Sequence, residues 1–412
     1  MGKFYNIDPS TCSMEELKQA IKECKLKEEY FHTMEQSCKV FINSQYGALA
    51  SPYYQCSNVD IAESITLQGQ DLIKYSVKVV NAYFKEQWPT DTEKHNRICH
   101  YMKEKFNDFD ADKFMMMAAQ GCSFGDTLQI YGDTDSAYIS LQPLIESCGI
   151  PVEMETEFVI AINKFVLEGY LDEMFNKYAS GFNCKENLEK FELEKIARSV
   201  IMLAKKKYIM DISWKEPDVH VAPLHSIVYK GIEVIQGSTP GFCRDVMKDF
   251  IKFMLEKINV GSKPSYDSII SKLREIKMKF AMQSPNEITK SFGMSDYEKY
   301  VLDDKKTLTY TDAVTPIHVR AASIYNHMLY NKAKRYKSKY NIIKKGDKVK
   351  FYYTADDSVF AFLPNEFPLE FAPKMDIDLQ FEKMVLEPLN RIIAASGYPK
   401  VSGALTYSAG LW

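Results

Sequence analysis

Tyr131-Gly132-Asp133-Thr134-Asp135-Ser136 is the stretch from which the rest of the chain can be read. It lies between two apolar, strand-like runs, residues 128–131 before it and 137–141 after it. That layout predicts a β-hairpin with two carboxylates, Asp133 and Asp135, at its tip. At a spacing of two both side chains can face the same way. Such a pair is costly to hold unless a cation neutralises it. Mg²⁺ suits it, because that ion takes one or two carboxylates and leaves its other positions to water and phosphate. The pattern points to phosphoryl transfer. The plain alternative is a solvated turn, since Asp-x-Asp is common.

At 412 residues the chain is long enough for two or three domains. Its 46% hydrophobic and 26% charged content is ordinary for a soluble globular protein. No apolar run is long enough to cross a bilayer, and the first residues lack an apolar signal core. Nine cysteines, an odd number with no C-x-x-C pair, fit reduced thiols in a cytoplasmic setting better than a disulfide framework. A net charge of −3 does not announce a nucleic-acid binder. The distribution is more telling: residues 332–350 hold Lys332, Lys334, Arg335, Lys337, Lys339, Lys344, Lys345, Lys348 and Lys350 against Asp347 alone, with Tyr336 and Tyr340 interleaved. Such a stripe is the footprint expected for a phosphate backbone, although a charge run by itself reads first as a solvated helix face.

Along the chain the pattern is α+β. Ser13-Met14-Glu15-Glu16 fits a capping box and opens a helix. A second helical pattern runs from about 27 to 46 and ends at Gly47 and Pro52. A third spans 59–84. Residues 88–126 read as a poorly defined insertion. Residues 153–178 are helical, and 189–229 read as strands and turns. A break at 237–241 precedes a helix at 245–258 and a linker at 261–264. Residues 347–363 are β-rich, and no internal repeat is visible.

Three further motifs accompany the hairpin. Lys39, Asn43, Tyr46 and Gly47 fall at i, i+4, i+7 and i+8, on one helical face. Lys39 could hold a triphosphate as a point charge, Tyr46 offers a flat surface for a base, and Gly47 permits close approach. Alone, this reads first as a partly exposed helix ending at a glycine cap. Lys205-Lys206-Lys207-Tyr208 sits inside an apolar stretch. As a strand it would put Lys205 and Lys207 on one side and Lys206 and Tyr208 on the other, and one side could grip a nucleic-acid phosphate. An edge strand guarded by lysines is the competing reading. Lys230-Gly231-Ile232-Glu233, followed by Gln236-Gly-Ser-Thr-Pro240, suits phosphate contact before a helix, or a plain turn.

In this order and at this spacing the motifs resemble those of family B DNA polymerases, in particular the replicative enzymes of tailed phages. Lys39 to Gly47 matches that family's K-x-x-x-N-S-x-Y-G motif, Tyr131 to Ser136 its Y-x-D-T-D-S motif, and Lys205, Lys206 and Tyr208 its K-K-x-Y motif. Pro316-Ile-His-Val-Arg320 resembles the start of a thumb segment. The resemblance implies a right-hand architecture. Residues 1–50 would be the C-terminal part of helical fingers. Residues 51–240 would be a palm with a partial antiparallel sheet and an insertion at about 88–126. A mixed, mainly helical thumb would span 241–400, before a tail at 401–412.

The same resemblance implies DNA-templated synthesis with two Mg²⁺ ions, primer–template DNA and dNTP. Asp135 would be the principal metal ligand, with Asp133 beside it. Lys39 and Asn43 would hold the triphosphate, Tyr46 would back the nascent base pair and sense its minor groove, and Gly47 would belong to the same nucleotide-binding set. Lys205, Lys206 and Tyr208, with Lys230 nearby, would grip the primer. Glu194, in Phe-Glu-Leu-Glu, would lie on a neighbouring strand in a supporting role. The family's D-x-x-S-L-Y-P motif, which carries another aspartate, does not occur in this chain, and neither does a preceding exonuclease. The expectation is therefore a C-terminal subunit of a split polymerase. Its N-terminal partner would bring the missing aspartate and the exonuclease. The alternatives are a fragment of a single-chain enzyme or a non-catalytic DNA-binding or scaffolding remnant. A split palm should leave an open sheet edge and apolar surface, making the chain alone sticky, partly disordered or dimeric. The apolar tail ending Leu411-Trp412 is expected to dock a sliding clamp or to pack on its own thumb.

Overall fold

The computed structural model describes residues 13–133, 136–311 and 314–406. Thr134 and Asp135 at the hairpin tip, and the tail from 407 to 412, lie outside them. The architecture is mixed α and β, with small antiparallel sheets. The chain divides into two compact units, Met1–Phe191 and Glu192–Trp412. Among the described residues no helix is long and apolar enough to cross a membrane.

The first unit opens with α1, Met14–Leu49. Its capping box is formed: the Ser13 hydroxyl accepts from the Glu16 N–H, and the Glu16 carboxylate accepts from the Ser13 N–H at 2.9 Å. The two helical patterns expected on either side of residue 27 are one continuous helix of 36 residues. The reason is local, since neither Gly nor Pro occurs between 14 and 46 to end a helix. None of its residues is buried. The turn after it is closed by the Asn58 N–H on the Leu49 carbonyl (2.9 Å), and Asn58 caps α2, Val59–Ala82. A π-type turn, Tyr83–Gln87, continues α2 into the core.

Residues 88–126 correct the expectation of a poorly defined insertion. They contain α3, Thr92–Lys105, and α4, Ala111–Ala118, capped by Asp91 and Asp110. The abundant charges of α3 mask its apolar face, where His95, Ile98, Cys99 and Met102 recur at helical spacing and are buried. Trp88 is fully buried beside Phe84 and Phe114. Strands β1, Gln129–Asp133, and β2, Ser136–Ile139, form the expected hairpin. After α5, Gln142–Ser147, the helices α6, Glu155–Ile162, and α7, Glu168–Gly181, are joined by a second π-type turn. One hydrophobic core unites the end of α2 with α3, α4, α6 and α7.

In the second unit β3, Lys195–Ala204, pairs with β4, Lys207–Lys215. Both β5, Val219–His220, and β6, Ile227–Lys230, pair with β4 along different parts of its length. Against this sheet lie α8, Gly241–Asn259, and α9, Tyr266–Ala281. Beyond them, β7, Ser291–Gly293, precedes α10, Tyr297–Tyr300, and the short pair β8, Val301–Asp303, and β9, Thr309–Tyr310. Helix α11, Ile317–Asn331, backs a three-stranded sheet of β7, β10 (Lys348–Tyr353) and β11 (Val359–Phe362). The last helices, α12, Ile377–Phe381, and α13, Glu387–Ala395, return to the core of α8 and α9.

A buried polar network ties the first sheet to α8. Asp211 is fully buried and accepts from Asn259 Nδ2 (2.6 Å) and from the Leu224 N–H (3.0 Å). Asn259 Oδ1 accepts from the Ser199 hydroxyl (2.7 Å), and the Arg198 guanidinium stands 3.9 Å from Asp211.

Candidate functional site

Helix α2 positions both signals of the first unit. Near its start, the Thr66 hydroxyl lies 2.6 Å from the Tyr46 hydroxyl of α1. Near its end, Asn81 Oδ1 accepts from the Leu128 N–H and Asn81 Nδ2 donates to the Thr127 hydroxyl, both at 3.0 Å. Fifteen residues separate these anchors, roughly 22 Å along a helix. A two-stranded hairpin is marginal by itself. This one is held at its base by Asn81, by buried Leu128, and by Ile139 against the core. Its far end closes at the Asp133 and Ser136 pair, with the Ser136 hydroxyl donating to the Asp133 carbonyl (3.1 Å). Asp133 is half-buried there. Among the described residues β1 and β2 pair only with each other.

Lys39, Asn43, Tyr46 and Gly47 all lie on α1 and are exposed. Neither Thr66 nor Asn81 was singled out in the sequence. The one available signal is an amide, Asn81, inside an apolar pattern just before the buried Tyr83-Phe84 pair.

In the second unit the lysine run is not a strand interior. Ala204 pairs with Lys207, so Lys205 and Lys206 form the turn between β3 and β4. Lys206 takes the left-handed conformation, φ 62°, which a tight hairpin turn demands. The alternation expected of a strand therefore does not extend across Lys205 and Lys206. Lys205, Lys206 and Lys207 are exposed, while Tyr208 is buried. Strand β6 brings Lys230 directly opposite Tyr208, and Gly231 lies against the turn, where a Cβ would stand 2.3 Å from the Lys206 carbonyl oxygen. The lysine turn and the Lys230-Gly231 motif, 25 residues apart in sequence, are thus one cluster. Glu194 immediately precedes β3, and its carbonyl accepts from the Glu216 N–H (3.1 Å). Beside the cluster, burial pushes the Tyr229 phenol up to about 12, which keeps it protonated. The helix α8 N-terminus that follows is uncapped by any side chain. Glu233 is already engaged by Arg391, and Gln236 by Lys290 (3.1 Å).

Among the described residues no group of three or more His, Cys, Asp and Glu is placed to hold a metal ion. Asp133 supplies the hard oxygen donors that Mg²⁺ takes, and Asp135 lies outside the described residues.

The family model for DNA polymerase family B matches residues 13–394. The chain belongs to that family. It is similar to the DNA-directed DNA polymerase of Enterobacteria phage T4, 24% identical over 321 residues, which cover 75% of this chain and 30% of that one. It is also similar to the DNA-directed DNA polymerase of Escherichia phage RB69, at 25% over 231 residues, 53% of this chain and 22% of that one. A DNA polymerase of Choristoneura biennis entomopoxvirus is 27% identical over 202 residues, 48% and 18% of the two chains. The chain spans less than a third of the length of each of these relatives.

Proposed function

We propose that this chain carries out DNA-templated DNA synthesis as the fingers, part of the palm and the thumb of a right-handed family B polymerase. The observation that carries the reading is the Y-G-D-T-D-S stretch folded as a hairpin whose base is bonded to α2, the same helix that is bonded to Tyr46. One scaffold thereby carries both the carboxylates and the helix bearing Lys39 and Asn43.

Asp133 and Asp135 would hold two Mg²⁺ ions, completed by a carboxylate from an N-terminal partner that also carries the exonuclease. When bound, such ions neutralise charge on the attacking and leaving oxygens of an in-line transfer. Lys39 places a point charge, and Asn43 an amide, where a triphosphate would lie along the exposed face of α1. Tyr46 is fixed at its hydroxyl by Thr66, which leaves its ring to stack beneath a nascent base pair. Lys205, Lys206 and Lys230 present cations to the primer backbone, and Tyr208 anchors the strand between them. The segment 1–50 would be fingers, 51–240 palm and 241–400 thumb, and the tail would reach a sliding clamp.

The test is primer extension with Mg²⁺ and dNTP, by this chain alone and with a candidate N-terminal half. Extension in the mixture that is lost with Asp135→Asn, while primer–template binding stays, supports the reading. Undiminished extension by Asp135→Asn overturns the site. Tight DNA binding without extension in any mixture favours a non-catalytic remnant.

A further inference from the structure

The first strand of the carboxylate hairpin holds one residue more than its partner. Gln129 pairs with Ile139 and Tyr131 with Tyr138, so Ile130 is an extra residue, a β-bulge, and it is exposed. Along a regular strand successive side chains point to opposite faces, and positions 129 and 132 would face apart. The bulge shifts that alternation by one and returns Gln129 to the face of Gly132. The side chain does arrive there: a Cβ on Gly132 would stand 2.6 Å from Gln129 Nε2 and 3.8 Å from its Cδ. The Gln129 amide thus fills the place that a side chain at 132 would take. The Ser136 carbonyl oxygen would lie 3.5 Å from such a Cβ, an ordinary contact.

This face of the hairpin looks towards its scaffold. Ile139, directly opposite Gln129, packs against the core of the first unit. Tyr131 and Tyr138 pair on the other face, 5.2 Å between ring centres, and alternation puts Asp133 and Ser136 with them. Asn81 bonds the base of the hairpin at Thr127 and Leu128. Gln129 acts further along, on the residue immediately before Asp133.

We propose that Gln129 is a positioning residue for the carboxylate hairpin. Aimed by the Ile130 bulge, its side chain props the backbone at Gly132 from the scaffold side and so sets where Asp133 stands. Among the described residues its amide makes no hydrogen bond, so what it supplies is volume. A long side chain at 129 and a glycine at 132 are two halves of one contact. A two-stranded ribbon is marginal by itself, and displacing a group that aligns reacting atoms by about 1 Å can cost about a hundredfold in rate. The effect on DNA synthesis rests on the polymerase reading; the contact between Gln129 and Gly132 does not.

The experiment is hydrogen exchange of the full chain, read over residues 128–140 by mass spectrometry, followed by primer extension with an N-terminal half. Gln129→Ala should speed exchange of the hairpin amides several-fold and leave α3 as in wild type. In extension it should lower kcat by about tenfold or more and keep the KM for dNTP within about twofold. Gln129→Met, which restores an unbranched side chain of similar length, should recover both. Gly132→Ala displaces the amide and should loosen the hairpin in the same way. The Gln129→Ala/Gly132→Ala variant should exchange more slowly than either single variant, because the new methyl takes the vacated place. Wild-type exchange in Gln129→Ala, or a double variant looser than both singles, overturns the proposal. Faster exchange with undiminished kcat also overturns it, since the contact then does not position Asp133. The polymerase reading fails separately, through absent extension by the wild-type mixture while the exchange differences persist.

Discussion

Gly231 and Lys206 touch through their backbones: a Cβ on Gly231 would stand 2.3 Å from the Lys206 carbonyl oxygen. Gly231 also has φ 63°, where side chains are strained. The end of β6 and the β3–β4 turn approach this closely only because glycine is there, and that approach seats Lys230 beside the lysine turn. Gly231→Ala should cost at least about 1 kcal/mol of stability and weaken primer–template binding. A thermal melt and an anisotropy titration check both halves; wild-type affinity in the variant would show that the close approach does not organise the lysines.

Lys39 and Tyr46 should separate in kinetics. Lys39→Ala in the reconstituted enzyme should raise the KM for dNTP about tenfold or more while DNA affinity stays, since the lysine faces only the proposed triphosphate position. Tyr46→Phe removes the 2.6 Å bond to Thr66 but keeps the ring, a loss of about 0.5–1.5 kcal/mol at most. Its effect on KM should be the smaller of the two. The reverse order would assign the face differently.

Unit stability should depend on pH through His95. Its side chain is 1% exposed, and burial lowers its pKa from the usual value. The negative Asp91 nearby and the Trp88 backbone oppose that shift without cancelling it. The unfolded chain then takes up a proton that the folded form refuses. Stability is complete above about pH 6.5 and is lost as pH falls through the lowered folded value. His318, half-buried against Phe292, is shifted the same way. The difference between wild type and His95→Phe isolates the first residue. Melting temperatures between pH 7.5 and 5 should fall less steeply in the variant; parallel curves would exclude His95 as a source.

Asp211→Ala should be severe in the second unit. It strands Asn259 Nδ2, the Leu224 N–H and the nearby Arg198 guanidinium in a buried setting. Removing one partner of such a network costs about 3–5 kcal/mol. Chemical denaturation monitored at Trp214, which lies on β4 with Asp211 and whose indole donates to Asp218 in the turn after that strand, reads this directly. A loss under about 1 kcal/mol would mean that the site relaxes or admits water.

Local rules carried much of this fold. The Ser13–Glu16 box, the apolar runs around Asp133 and Asp135, and the break before α8 each follow from a few adjacent residues and were readable as such. What escaped depends on partners distant in sequence. The charges on α3 hid a buried face that is meaningful only with Phe114 and Phe158 packed nearby. Three consecutive lysines in an apolar run looked like a strand because nothing local marks a turn without Gly, Asn or Asp; the register of β3 against β4 decides it. Grouping of Lys230 with Lys206 is a product of tertiary pairing alone.

Helix α1 has no buried residue, and in the first unit it is tied down at its C-terminal end, by Tyr46 and by the turn at Leu49 and Asn58. Mechanically it is a lever with its pivot at that turn. At 1.5 Å per residue, Lys39 sits about 15 Å from the pivot and Met14 about 52 Å, so a 10° rotation would sweep them by about 2.6 Å and 9 Å. The first displacement is comparable to a hydrogen-bond length. A small change of angle at Leu49 would therefore be enough to make or break contact between Lys39 and a triphosphate at the proposed position, with no side chain changing its rotamer.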